Sequence, residues 1–340
     1  MKLVFLRREP RHPQRRLPGR FSPVRYTHGY SACLEVFMKA SALHGLLVLD
    51  KPGGITSRDA VDRALRWFPR GTKVGHTGTL DPLATGVLVL CIGSATRLTE
   101  YVQHMSKTYR AGVLLGARSD TDDADGTLTP VAAAAAPDRA TLTAALQGFV
   151  GEVEQVPPAF SAAKVSGARA YDLARRGAEV ELQARIVRIY GIDILAYEYP
   201  RLELEVRCGK GTYIRSLARD LGERLGCGGL IVTLRRTRVG PFVAEGALSL
   251  AADAAAARAR LLPVSAAVAE LARLDLDSGA AARLRQGQRV RLPRTGARSA
   301  VGAGEVAVFG PGEAFVGVAA FDPARGDVTP MKVLPEAATR

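Results

Sequence analysis

The chain has 340 residues, 47% of them hydrophobic, and a formal charge of +14. That is enough material for about two domains with a sizeable core. No run of 18 apolar residues exists to span a membrane as a helix, and the cationic surplus points to a polyanionic partner, most commonly nucleic acid.

Residues 1–40 hold nine Lys/Arg against two Glu, half of the whole surplus, in an Arg- and Pro-rich stretch without hydrophobic period. They are expected to form a disordered basic tail, or to precede a true start at Met38, because they offer too little apolar surface to offset ordering. The apolar core of a secretory leader is missing, and so is the Ser content of a transit peptide.

Structure is expected from "HGLLVLDKPGGITS" onward, with a short strand at 46–49 and a turn at "PGG". Thr56 or Ser57 then caps a helix whose Ala60, Ala64, Trp67 and Phe68 share one face, ended by Pro69 and Gly71. The segment "GHTGTLDPLATG" (75–86) is a loop of small residues with one His and one acid; Asp81 is the only carboxylate between Asp62 and Glu100. Before Pro, such an Asp reads locally as a turn residue.

Beyond the loop, "GVLVLCIG" is a buried strand, "SATRLTEYVQ" a capped helix, and "KTYRAGVLLG" a strand. The acidic "SDTDDADG" has the spacing of a turn; a calcium loop would close with Glu at its twelfth position, where Val131 stands. "DRATLTAALQGFV" is a capped helix, and the basic 157–185 an excursion from the sheet. Strands return at 186–197 and 201–208. A helix over "GTYIRSLARDLGERLG" buries Ile214, Leu217, Ala218, Leu221 and Leu225, and "GGLIVTLRRTRVGPF" is a closing strand. Without a βαβ repeat the class is α+β with a mainly antiparallel sheet. A helical connection at 251–270 leads to Gly- and Pro-broken strands at 271–335, the pattern of a small β-barrel.

Much chemistry is excluded. The zinc-deaminase signature, the Walker spacing, the dinucleotide glycine fingerprint and the acid cluster of a two-metal nuclease are all missing. The four cysteines lie far apart, without C-x-x-C, and read as reduced core residues. No cofactor or metal is suggested.

Five blocks in order, "HGLLVLDKPGGITS", "KVGHTGTLDPLATGVLVLCIG", "SKTYRAGVLLG", "CGKGTYIRSLARDLGERLG" and "LRRTRVG", resemble the bacterial TruB family of tRNA pseudouridine synthases. The resemblance runs from about His44 to the C-terminus. It implies a pseudouridine synthase fold over 41–250, with a long mixed sheet and a central cleft, followed by a small PUA-like RNA-binding domain. The implied activity converts uridine 55 in the T-loop of tRNA to pseudouridine without a cofactor, in a cytoplasmic monomer that needs no membrane.

The implied site follows residue by residue. Asp81 matches the catalytic aspartate, a competent nucleophile at a sugar carbon; attack on C1′, attack on the base and removal of the C2′ proton all remain open. Arg215 matches its ion-pair partner, although on local sequence it is a solvated helix residue. With one acid and one arginine, no second carboxylate is expected nearby to raise the Asp81 pKa. Tyr109 matches the ring that stacks on the target base, and Tyr213 and Leu234 the pocket walls. His76 matches a residue that enters the T-loop where the base has left. Lys51 and Pro52 match a structural buttress. Lys164, Arg169, Arg175 and Arg176 lie in an RNA-gripping insertion at 157–185. Two alternatives are a guide-RNA-dependent synthase subunit, whose C-terminal region would be more elaborate, and a non-catalytic tRNA-binding or folding chaperone.

Overall fold

The computed structural model describes residues 43–132, 135–161, 164–165, 168–169, 182–293 and 301–335. The basic tail, with Cys33, lies outside them, as do Arg175 and Arg176.

A ten-stranded sheet dominates. Its main path runs through the strands Leu248–Ser249, Gly45–Lys51, Thr85–Ile92, Gly229–Val239, Lys107–Leu115, Arg201–Cys208, Arg185–Glu198 and Gly151–Gln155. Val74–His76 adds to Thr85–Ile92, and Phe242–Val243 to Gly229–Val239. Only two junctions are parallel: Gly45–Lys51 with Leu248–Ser249, and Thr85–Ile92 with Gly229–Val239. The mainly antiparallel expectation therefore holds. The strand Gly229–Val239 is not peripheral; it sits at the centre and joins the two halves.

That central junction shapes the cleft. Thr85–Ile92 and Gly229–Val239 are in register only at Arg235 with Thr85 and Arg236 with Gly86. Gly86 has φ +100°, and a Cβ there would meet the Arg236 carbonyl oxygen at 2.2 Å. Glycine alone permits this close approach of two backbones.

The helix Ser57–Ala64 begins at a capping box: Thr56 Oγ1 accepts from Asp59 N at 3.1 Å, and Asp59 Oδ2 accepts from Thr56 N at 2.9 Å. Two backbone donors at the helix start are satisfied in this way. Asp138 caps Arg139–Gln147 as expected. "SATRLTEYVQ" instead divides into a 3₁₀ segment, Gly93–Leu98, and a helix, Thr99–His104, without a side-chain cap. Ile214–Arg224 buries its apolar stripe in a cluster that includes Tyr109, Val206 and Leu234.

The C-terminal strands form a five-stranded sheet in the order Ala272–Asp275, Gly304–Gly310, Ala314–Asp322, Asp327–Val333, Val290–Arg291. Among the described residues its two edge strands do not pair, so the observed element is an open sheet. Phe315, Val318 and Leu334 share a core cluster with Leu46, Val87 and Val89 of the large sheet. Cys91, Cys208 and Cys227 are buried free thiols. Among the described residues no helix is long and apolar enough to cross a membrane.

Candidate active site

A cleft of about 430 Å³ opens at the central junction. Its lining includes His76, Asp81, Tyr109, Tyr213, Arg215 and Leu234. The structure thus brings together all six residues assigned to catalysis and base recognition. Among the described residues five Lys/Arg line it (Lys107, Arg185, Lys210, Arg215, Arg236) against the single acid Asp81.

The loop bearing Asp81 is held on several sides. Lys51, fully buried at the end of its strand, donates from Nζ to the carbonyls of Pro52 and Ile55 at 2.8 Å and of Pro82 at 3.4 Å. Gly54 N donates to the same Pro82 carbonyl at 2.9 Å. Ser57 Oγ donates to Leu80 O and accepts from Leu80 N, at 3.0 and 2.8 Å. Burial lowers the Lys51 pKa to about 8, with Asp81 opposing. The buttress expected of Lys51 and Pro52 is a set of hydrogen bonds to loop carbonyls.

Arg236, only 2% exposed, was not singled out in the sequence and secures the other side. Its Nε donates to Val87 O at 2.7 Å, Nη2 to Gly78 O at 3.0 Å and Nη1 to Thr79 O at 3.4 Å. Strand alternation could have found it, because residues 234 and 236 share a face.

Arg215 is 4% exposed rather than solvated. It occupies the first turn of Ile214–Arg224, and its side chain is enclosed by three segments. Nε lies 2.9 Å from Asp81 Oδ2, an ion pair without the alignment of a hydrogen bond. Nη1 donates to Thr121 O at 2.8 Å and lies 3.2 Å from Asp123 Oδ2. Nη2 donates to Phe160 O at 2.9 Å.

Asp123 corrects two expectations. The "SDTDDADG" segment is a turn, but it also delivers carboxylates inward. Asp122 adopts φ +61° and pairs with Arg219 at 2.9 Å, while Asp123 meets Arg215. Asp81 is isolated in sequence but not in space. Its pKa is raised, first by burial and further by Asp123, against the lowering pull of Arg215 and Lys51. About a third of the side chain remains open to the cleft, so the carboxylate is both accessible and poorly solvated.

Tyr109 lies on the cleft floor, with burial raising its phenol pKa and the Arg236 guanidinium opposing. Tyr213 precedes the Ile214–Arg224 helix, and Arg185 stacks its guanidinium 4.7 Å from the Tyr213 ring centre. His76 ends the strand Val74–His76 at the rim, half-buried. Lys164 and Arg169 are register partners in a two-residue ladder. Lys107 also went unremarked in the sequence. Burial lowers its pKa to about 8, and its Nζ donates to the Gln103 and Met105 carbonyls.

The long mixed sheet with its central cleft matches a known fold and a family of pseudouridylate synthases. In the crystal structure of a Cbf5-Nop10-Gar1 complex, one chain superimposes with a TM-score of 0.66 at 25% identity, covering 86% of this chain and 85% of that one. The TruB family pseudouridylate synthase N-terminal domain matches residues 66–214, and the tRNA pseudouridylate synthase B C-terminal domain matches 215–269. A tRNA pseudouridine synthase B of Xanthomonas euvesicatoria is 47% identical over 299 residues, 86% of this chain and 94% of that protein. One of Cupriavidus taiwanensis is 49% identical over 255 residues, 73% and 80%. The chain belongs to the TruB family of pseudouridylate synthases.

Proposed function

We propose that the protein converts uridine 55 in the T-loop of tRNA to pseudouridine. The observation that carries this is the single carboxylate, Asp81, held by Arg215 in a cleft whose other charges are cationic and whose floor is Tyr109. The reaction breaks the N1–C1′ bond and joins C5 to C1′; C5 loses a proton and N1 gains one. No oxidant or second substrate is consumed.

Each residue then has a task. Tyr109 stacks on the extruded base, a contact worth about 1–3 kcal/mol that tolerates any base. Tyr213 and Leu234 bound the base on its sides. Asp81 acts on the sugar or the base, and Arg215 keeps the acid ionised and directed. His76 occupies the space the base leaves, which offsets part of the few kcal/mol that extrusion costs. Lys51 and Pro52 hold the loop. Lys164, Arg169, Arg175 and Arg176 contact phosphates, which position the RNA while its folded shape selects the site.

The C-terminal sheet is the PUA-like RNA-binding domain in this reading, over 271–335. Arg289 and Arg291 are 65% and 75% exposed; both lie 3.8 Å from Asp327, and Arg291 Nε also donates to Arg325 O at 3.2 Å, which leaves most of each guanidinium open to phosphates. The enzyme works as a cytoplasmic monomer on the tRNA T-arm.

The test is purified protein with unmodified tRNA transcripts and no guide RNA. Pseudouridine at the T-loop site supports the assignment. Product only after a guide RNA is added establishes the guide-dependent reading, and tight tRNA binding without product establishes the chaperone.

A further inference from the structure

The geometry points to Gln155 as a positioning residue for the Tyr213 wall of the cleft and for the helix start that carries Arg215. The inference rests on the reading of that cleft as the uridine pocket. Gln155 ends the edge strand Gly151–Gln155 and is 2% exposed. Its Oε1 accepts from Tyr213 N at 2.8 Å, and its Nε2 donates to Tyr213 O at 3.0 Å. Tyr213 is extended there, φ −103° and ψ 116°, so its N–H and C=O are served together as a neighbouring strand would serve them.

At neutral pH a side chain of this length and shape presents an acceptor and a donor side by side as an amide, not as an ionised carboxylate. A hydrocarbon leaves the Tyr213 N–H unmet and its carbonyl with the Leu217 N–H alone, at 3.2 Å. A carboxylate accepts from the N–H but repels the carbonyl.

The surrounding contacts converge on the same seam. Arg185, the cross-strand partner of Gln155, donates to Gly211 O at 2.7 Å and stacks on the Tyr213 ring. The next residue, Val156, accepts through its carbonyl from Ser216 Oγ and Arg219 Nη2, both at 2.8 Å. Phe160 O takes Arg215 Nη2. The segment that leaves the sheet at Gln155 therefore grips the helix start at residues 213, 215, 216 and 219, while Arg185 holds Gly211, and Gln155 is the side chain on its own strand that sets Tyr213.

Gln155→Leu and Gln155→Glu are compared with the wild-type chain in single-turnover pseudouridine formation, tRNA binding and thermal melting. For Gln155→Leu the expected result is a rate at least tenfold lower, with the tRNA Kd within twofold. For Gln155→Glu the signature is a pH profile. A protonated Glu side chain both donates and accepts as the amide does, so its rate relative to wild type climbs as pH falls. An unaltered rate in a folded Gln155→Leu protein would overturn the inference. Should that variant fail to fold, a pH-independent ratio for Gln155→Glu overturns it instead. Wild-type chain that makes no pseudouridine refutes the functional reading itself, a result separate from either.

Discussion

Asp123 shares the Arg215 guanidinium with Asp81: Nη1 lies 3.2 Å from Asp123, and Nε lies 2.9 Å from Asp81. One cation thus serves two carboxylates contributed by separate loops. Asp123 is almost fully buried, accepts from Thr121 Oγ1 at 2.6 Å and cannot turn to solvent. It fixes where Arg215 can sit. Asp123→Asn keeps the shape while removing the charge. A hydrogen bond to a charged group is worth about 1.5–3 kcal/mol, so pseudouridine formation is expected to fall roughly ten- to a hundredfold. Filter binding of tRNA should be unchanged, which separates orientation of the catalytic pair from substrate affinity.

The raised pKa of Asp81 predicts the acid limb of the rate profile. In the proposed reaction Asp81 acts as the carboxylate. The group protonates above the ordinary aspartate range, so activity is lost as pH falls through that raised value. Single-turnover rates across mildly acidic buffers check this. A profile flat down to an ordinary aspartate pKa would show that Asp81 is better solvated than its cleft implies.

The same shift has a consequence for stability. Because the folded state favours protonated Asp81, folding binds a proton between the unfolded and folded pKa values. Stability contributed by this site is present below the unfolded value and lost as pH rises through the folded one. At neutral pH the ionised acid is therefore a cost to folding. Asp81→Asn removes it while Arg215 keeps Asp123, Thr121 O and Phe160 O. The variant is expected to melt at or above the wild-type temperature near pH 7, with the difference shrinking in acid. Calorimetry at two pH values tests the sign.

Gly86 tests the junction that forms the cleft. A Cβ at 2.2 Å from the Arg236 carbonyl oxygen, at φ +100°, meets backbone that cannot yield locally. Gly86→Ala should destabilise by roughly 3 kcal/mol or more, measured by urea unfolding.

Much of this was legible in the sequence, and the failures share a cause. The strand at 201–208 appears where it was expected, and the capped helix read over "DRATLTAALQGFV" forms at Arg139–Gln147 behind Asp138, ending before Gly148. Asp81, Tyr109, Tyr213 and Leu234 were placed by resemblance and do line one cleft. Arg215 was misread locally because its helix is buried around its first turn, where Ile214, Arg215 and Ser216 are all covered. Amphipathic period assumes one dry face and cannot report a helix end wedged among three segments. Asp123 was missed for a related reason. An acidic turn looks solvated until tertiary structure folds it inward, 92 positions along the chain from its partner Arg215. Gln155 left no periodic or compositional trace, since its partners are backbone atoms of a distant residue.

In the proposed function Asp81 makes pseudouridine at one uridine of tRNA. Nucleotide-resolution mapping of unmodified transcripts, incubated with wild-type or Asp81→Asn protein, tests it most directly. Product is expected at uridine 55 alone with wild type and none with Asp81→Asn, while both proteins bind tRNA with an affinity that weakens as salt rises. Product at another uridine, or pseudouridine formed at the wild-type rate by Asp81→Asn, would contradict it.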